Sequence, residues 1–149
     1  MTIRQLTDNF SVSGPLVDED WQYLKQQGVD TLINVRPDNE AANQMPNSFW
    51  RDKAMRFGFA YYYLPVTTFE YSLESISTFY SLISDPNRHV HTFCRTGNRA
   101  IHLWALTRAI HEDISSVQEV CAAHDCDVSK ITEQLTYLRE QKPRQGAFI

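Results

Sequence analysis

Apolar and polar positions alternate from Phe10 to Ser13 as in a short strand, and Gly14-Pro15 turns the chain after it. Val17, Trp21 and Leu24 then share one face of a helix predicted over residues 18–27, which Gly28 closes. The β-branched, apolar run Thr31-Leu-Ile-Asn-Val35 has the character of a buried strand and is stopped by Pro37. The chain therefore opens as β-α-β.

The polar stretch 38–47, with Pro46, predicts a loop, followed by a helix over about 48–57 that Gly58 ends. The aromatic-rich run 59–65 predicts a strand, residues 66–71 a loop, and Ser72 caps a helix whose face is Leu73, Ile76, Phe79, Tyr80 and Ile83. Asp85-Pro86-Asn87 breaks that helix, and His89-Val-His-Thr-Phe93 is the next strand. A buried helix is predicted over 99–111. Two amphipathic helices are expected at about 114–124 and 128–141, with Asp113 and Asp127 as N-caps, and residues 142–149 as a frayed or partly docked tail.

Strands alternating with helices across short connections predict an α/β fold with three layers. Its core is a mostly parallel sheet of about four to five strands covered by helices on both faces. Reactive groups in such sheets gather at the carboxyl ends of the strands. Cys94 falls at that position.

At 149 residues the chain has the length of one domain, taken here as 1–149. A net charge of −4 argues against broad binding to nucleic acid or to an anionic membrane, so any anion site must be local. The three cysteines, Cys94, Cys121 and Cys126, match no paired zinc spacing and fit a reducing compartment. With no apolar signal core at the start and no run approaching membrane-spanning length, a cytoplasmic protein is expected.

The chemistry concentrates in Cys94-Arg95-Thr96-Gly97-Asn98-Arg99. A thiol reacts as its thiolate. A sulfur between a strand end and the first turn of a helix meets unpaired N–H groups and the positive end of the helix dipole. Gly97 can take a positive φ and curl successive amides into an anion-binding nest, and Arg95 and Arg99 bring two guanidinium groups to the same loop. A nucleophile in an anion cradle suits attack on phosphorus or on a sulfane sulfur through a covalent intermediate. The partner implied is a small anionic or phosphorylated substrate, with no cofactor. Oligomeric state is not legible.

This loop resembles those of the cysteine-dependent protein phosphatases and the rhodanese sulfurtransferases. Phosphatases of that kind carry His-Cys, five residues and then Arg. Here Phe93 precedes Cys94 and four residues separate it from Arg99, the shorter, rhodanese-like form. Ser11-Val-Ser-Gly14, Gly28-Val-Asp-Thr-Leu-Ile-Asn-Val-Arg-Pro-Asp-Asn-Glu40 and Tyr63-Leu-Pro-Val66, together with the Cys94 loop, resemble a mostly bacterial family of phosphatase-like domains. Its members have a dual-specificity-phosphatase-like fold, and some are fused to β-lactamase-like hydrolases. The resemblance covers most of residues 10 to 110. It implies Cys94 as nucleophile, Arg99 as the anion-binding arginine, and Arg95, Thr96, Gly97 and Asn98 as the cradle.

Dual-specificity phosphatases also supply an aspartic acid from the loop that here reads Val66-Thr-Thr-Phe-Glu-Tyr71, where Glu70 is the nearest carboxylic acid. Ala100 replaces the hydroxyl that often follows their loop arginine. The expected function is thus a cysteine-dependent phosphatase. A persulfide-carrying sulfurtransferase and a non-catalytic oxyanion-binding module are the alternatives.

Among other residues, Arg36 and Glu40 follow a strand and are expected near its carboxyl end, mainly as a salt bridge or loop anchor. Arg36, Thr67 and Thr68 are candidates for the cleft. His89, His91 and His102 lack a placeable third ligand, so no metal is expected. Cys121 and Cys126 are expected in packing, with a resolving role for an oxidised Cys94 open. Tyr61, Tyr62 and Tyr63 are expected as sheet core.

Overall fold

The computed structural model describes residues 3–145. Five strands form one sheet: β1 (Arg4–Thr7), β2 (Phe10–Ser13), β3 (Thr31–Asn34), β4 (Ala60–Tyr63) and β5 (Val90–Phe93), in the order β1-β2-β5-β3-β4. Only β1 runs antiparallel; β2, β5, β3 and β4 are parallel neighbours. Ser13, Phe93, Asn34 and Tyr63 stand level with one another, so four strands deliver their carboxyl ends to one edge.

The helices are α1 (Asp18–Gln26), α2 (Asn47–Phe57), α3 (Leu73–Ile83), α4 (Asn98–Arg108), α5 (Ile114–Ala123) and α6 (Thr132–Gln145). Side chains alternate between the two faces of each strand, and the core divides accordingly. Leu32 packs with Trp21, Leu24, Trp50 and Ala54 of α1 and α2. Ile33 joins Phe10, Val12 and Val90 against α3, α4, α5 and α6. Each fully buried Leu or Ile contributes about 1.5–3 kcal/mol. Every residue of α4 from Arg99 to Thr107 is buried, which explains why its sequence shows no polar face.

The structure departs from the sequence-based expectation at several elements. Strand β1 was not anticipated, since Leu6 is its single apolar residue and it pairs with β2 alone, at the sheet's edge. Helix α4 starts one residue earlier and ends three earlier than predicted, because Gly97, at φ 97°, is its cap and Ala109 leaves the helix. In place of one helix over 128–141, a 3₁₀ turn (Ser129–Ile131) precedes α6. Val128 rather than Asp127 stands at the N-cap of that turn, and the Asp127 carboxylate, one residue earlier, accepts from the Ser129 backbone N–H at 2.9 Å. Asp113 stands at the N-cap of α5 without a side-chain cap bond. Of the predicted tail, residues 142–145 continue α6, and 146–149 lie outside the described residues. Among the described residues, no helix is long and apolar enough to cross a membrane.

Candidate active site

Cys94 follows directly on β5, its N–H donating to the Ser13 carbonyl at 3.2 Å in continuation of the parallel ladder. The chain then curls through Arg95, Thr96 and Gly97 into the first turn of α4. The Gly97 N–H donates to the Cys94 sulfur at 3.1 Å, and the sulfur's residue is only 1% exposed. The thiol thus sits at the bottom of the loop with an amide already directed at it, an arrangement that favours negative charge.

Two glycines make the loop's shape possible. Gly97 occupies the left-handed region, and a Cβ there would stand 2.5 Å from the Arg4 guanidinium. A Cβ on Gly14 would lie 2.9 Å from the Arg95 carbonyl, so the turn after β2 lets the loop pack against its backbone. Arg4 itself donates to the carbonyls of His124 and Thr96 and to Asn98 Oδ1 at 3.1 Å. It clamps the loop from β1, a role that a lone arginine near the start of the chain does not advertise.

Arg99 points inward and is 6% exposed. Its Nη1 donates to Glu40 Oε2 at 2.8 Å and to the Val66 carbonyl at 2.9 Å, and its Nη2 donates to Glu40 Oε1 at 2.8 Å. Arg36 Nε donates to the same Glu40 Oε1 at 3.0 Å. Arg99 holds Glu40 below the usual carboxylate range, foremost through its hydrogen bond, against the opposing effect of burial. Burial disfavours the Arg99 charge, but the Glu40 hydrogen bond and the neighbouring Cys94 and Glu40 charges outweigh it. A guanidinium has five N–H donors. Three are taken, which leaves its Nε–H and the remaining Nη2 hydrogen as a two-pronged edge suited to an oxyanion.

Beneath the loop, His91 on β5 is enclosed by two serines. Ser13 Oγ donates to the Gly14 carbonyl at 2.7 Å, so it accepts from His91 Nε2–H at 2.8 Å, and Ser11 Oγ–H donates to Nδ1 at 2.7 Å. Burial pushes the His91 pKa down to about 3. His102 is fixed the same way: its Nε2–H donates to the Asp127 carbonyl at 3.0 Å and its Nδ1 accepts from the Tyr71 hydroxyl at 2.7 Å.

A cavity of about 300 Å³ opens over the loop, lined by Arg95, Thr96, Asn98 and Arg99. Thr68, Phe69, His102, Asp127 and Lys130 complete the lining. Of the residues anticipated from sequence, Cys94, Arg95, Thr96, Gly97, Asn98 and Arg99 come together as one loop. Thr68 lines the cavity together with Arg95, Thr96, Asn98 and Arg99, and Arg36 reaches Arg99 through Glu40. Thr67 and Glu70 are exposed and pair with each other across a turn, outside the cavity wall. Sequence reasoning missed Arg4, Phe69 and Lys130. It placed Asp127 as a cap without seeing that it lines the cavity.

Cys121 and Cys126 are buried free thiols whose pKa values burial pushes up, to about 12 and about 11. Cys126 Sγ lies 3.9 Å from the Asn98 carbonyl, just behind the loop. Tyr61 donates to Asn47 and Tyr63 to no side chain but receives the Asp38 N–H, so these two anchor the loop after β3, while Tyr62 is 38% exposed rather than core.

Residues 2–111 match the model of the family described as the beta-lactamase hydrolase-like protein, phosphatase-like domain. The chain belongs to this family. As a phosphatase-like domain it is 28% identical, over all of its length, to the beta-lactamase hydrolase-like protein of Xylella fastidiosa strain Temecula1. It spans about a third of that relative, 35% of its length. Its fold is similar to that of a candidate phosphatase from Neisseria meningitidis Z2491, with TM-score 0.81 and 26% identity over 93% of this chain and 99% of that one. It is also similar to PTPMT1, with TM-score 0.74 over 97% of this chain and 98% of that one; at 14% identity this likeness concerns the fold alone. The phosphatase-like domain therefore carries its Cys94 loop where the fold expected from sequence puts it.

Proposed function

We propose that the domain hydrolyses phosphomonoesters through a cysteinyl-phosphate intermediate on Cys94. The observation that carries this reading is the pairing of an amide on the Cys94 sulfur with an Arg99 guanidinium held rigidly by Glu40 and Val66. The thiolate attacks phosphorus, the ester oxygen leaves with its electron pair, and the phosphoryl oxygens rest on the loop amides and the free edge of Arg99. Water then attacks the phosphorus, and the Cys94 thiolate leaves. Preorganised donors of this sort act where charge develops, which is why their rigidity matters.

Among the described residues, the cavity lining offers no carboxylic acid to assist the first step. Asp127 is the one carboxylate lining the cavity, and the Ser129 N–H and hydroxyl hold it below its usual pKa range, so it is ionised at neutral pH. Leaving groups that depart as stable anions are therefore favoured over alkoxides by the roughly 10²–10⁴-fold that acid assistance is worth. The check is the rate with an aryl and an alkyl phosphate for the wild-type protein and for Cys94→Ser. Aryl turnover that vanishes in Cys94→Ser supports the proposal; equal rates in both proteins sink it.

A second reading, transfer of sulfane sulfur, is favoured by one observation: only four residues separate Cys94 from Arg99. Cys94 thiolate would attack the outer sulfur of thiosulfate, forming a persulfide as sulfite leaves, with no acid required. Sulfur added to Cys94 after thiosulfate treatment, without phosphatase turnover, would decide for it.

A further inference from the structure

Phe69 combines two unusual properties. It is a bulky residue in the left-handed backbone region, at φ 66°, and it is 46% exposed. The turn that carries it is closed by Glu70 N–H donating to the Thr67 carbonyl at 2.9 Å. A non-glycine residue in that conformation persists only where its surroundings hold it, and such outliers gather at ligand clamps. Burial does not account for the conformation here, because the residue is half in solvent.

Its neighbours define its place. One side of the ring lies against His102, with centroids 5.6 Å apart, and His102 is itself pinned between Tyr71 and Asp127. The Lys130 ammonium stands 5.7 Å from the ring centroid. Phe69 and Lys130 line the same cavity as Arg95, Thr96, Asn98 and Arg99. The Asp127 carboxylate shares that wall, but both of its oxygens are engaged by Ser129.

We propose that Phe69 and Lys130 form the subsite for the organic part of the substrate: Phe69 supports a flat aromatic group, and Lys130 receives a second negative charge carried on it. The substrate class is then an aryl phosphate bearing a further acidic group. This rests on the phosphatase reading above and agrees with the lack, among the described residues lining the cavity, of a carboxylic acid to protonate an alkoxide leaving group. Lys130, on its flexible stem, shifts from the ring to the acidic group as the aromatic plane takes its place.

The test compares 4-carboxyphenyl phosphate, phenyl phosphate and glycerol 2-phosphate. Asn tolerates the left-handed region, so Phe69→Asn removes the ring while keeping the turn. It should raise KM for both aryl substrates by roughly ten-fold and spare glycerol 2-phosphate, with Phe69→Tyr restoring the aryl values. Lys130→Met should narrow the gap of roughly a few-fold between the carboxylated and plain aryl esters. A Phe69→Asn effect equal on all three substrates, or on none, overturns the subsite, as does an unchanged gap in Lys130→Met. Calorimetric binding of the same three compounds to Cys94→Ser variants reads the same ratios without turnover. If Cys94-dependent turnover is absent yet the ratios hold, the reaction assigned above fails while the subsite stands.

Discussion

Arg99 divides five donors among three tasks: two fix it to Glu40, one fixes it to the Val66 carbonyl, and two remain for an anion. Glu40 is therefore a positioning residue. Its existence near the strand end was legible from sequence, but its partner was not, because the pair closes across 59 positions and nothing local encodes it. Glu40→Gln leaves one oxygen for three donors, two from Arg99 and one from Arg36, and should lower kcat/KM for an aryl phosphate by roughly 10- to 100-fold, given charged hydrogen bonds worth about 1.5–3 kcal/mol. The change should fall mainly on kcat/KM rather than on folding, with near-native circular dichroism. An unchanged kcat/KM would mean that Arg99 needs no such support. Phe69 was missed for a related reason: its significance lies in φ and exposure, and a single aromatic in a loop displays neither.

Among the elements, α4 and β5 were the most legible, since a β-branched strand running into an apolar helix through Cys94 and Gly97 has few other folds. Strand β1 was the least legible, because pairing with β2 rather than its own composition makes it a strand, and with it went the Arg4 clamp on the loop. Strands β2 and β5 are joined beneath the loop by the Ser11–His91–Ser13 cluster, which has room for a neutral imidazole only in one tautomer. Burial lowers the His91 pKa from 6.5 to about 3, and burial lowers that of His102 as well. The unfolded chain thus binds protons that the folded one refuses, and stability must fall as pH drops below 6.5 toward about 3, while staying level above it. Glu40 adds to the loss further down, because its folded pKa lies below 4.5 and its ion pair is given up as pH falls through that value. Urea midpoints measured from pH 8 to 4 should be flat above about 6.5 and decline below it. A level profile between 6.5 and 5, where carboxylates scarcely titrate, would show that His91 and His102 accept protons in the folded state.

At the scale of the whole molecule, four parallel strands end level and present one edge on which Cys94, Arg99, Glu40 and the Phe69 turn meet. The α/β class, the strand order's parallel core and the place of Cys94 followed from periodicity and turn residues. The assembly of the site, with Arg4 and Glu40 bracing the loop and Phe69, Arg95 and Lys130 lining the cavity, did not, because it depends on how the layers pack. The central claim is that Cys94 forms the covalent bond. Its most direct test is acid quenching of the protein during turnover of an aryl phosphate, followed by mass spectrometry of its peptides. The account predicts one added phosphoryl group on the peptide containing Cys94, absent from Cys94→Ser. Phosphate release that continues in Cys94→Ser, or a phosphoryl group on any other residue, would contradict it.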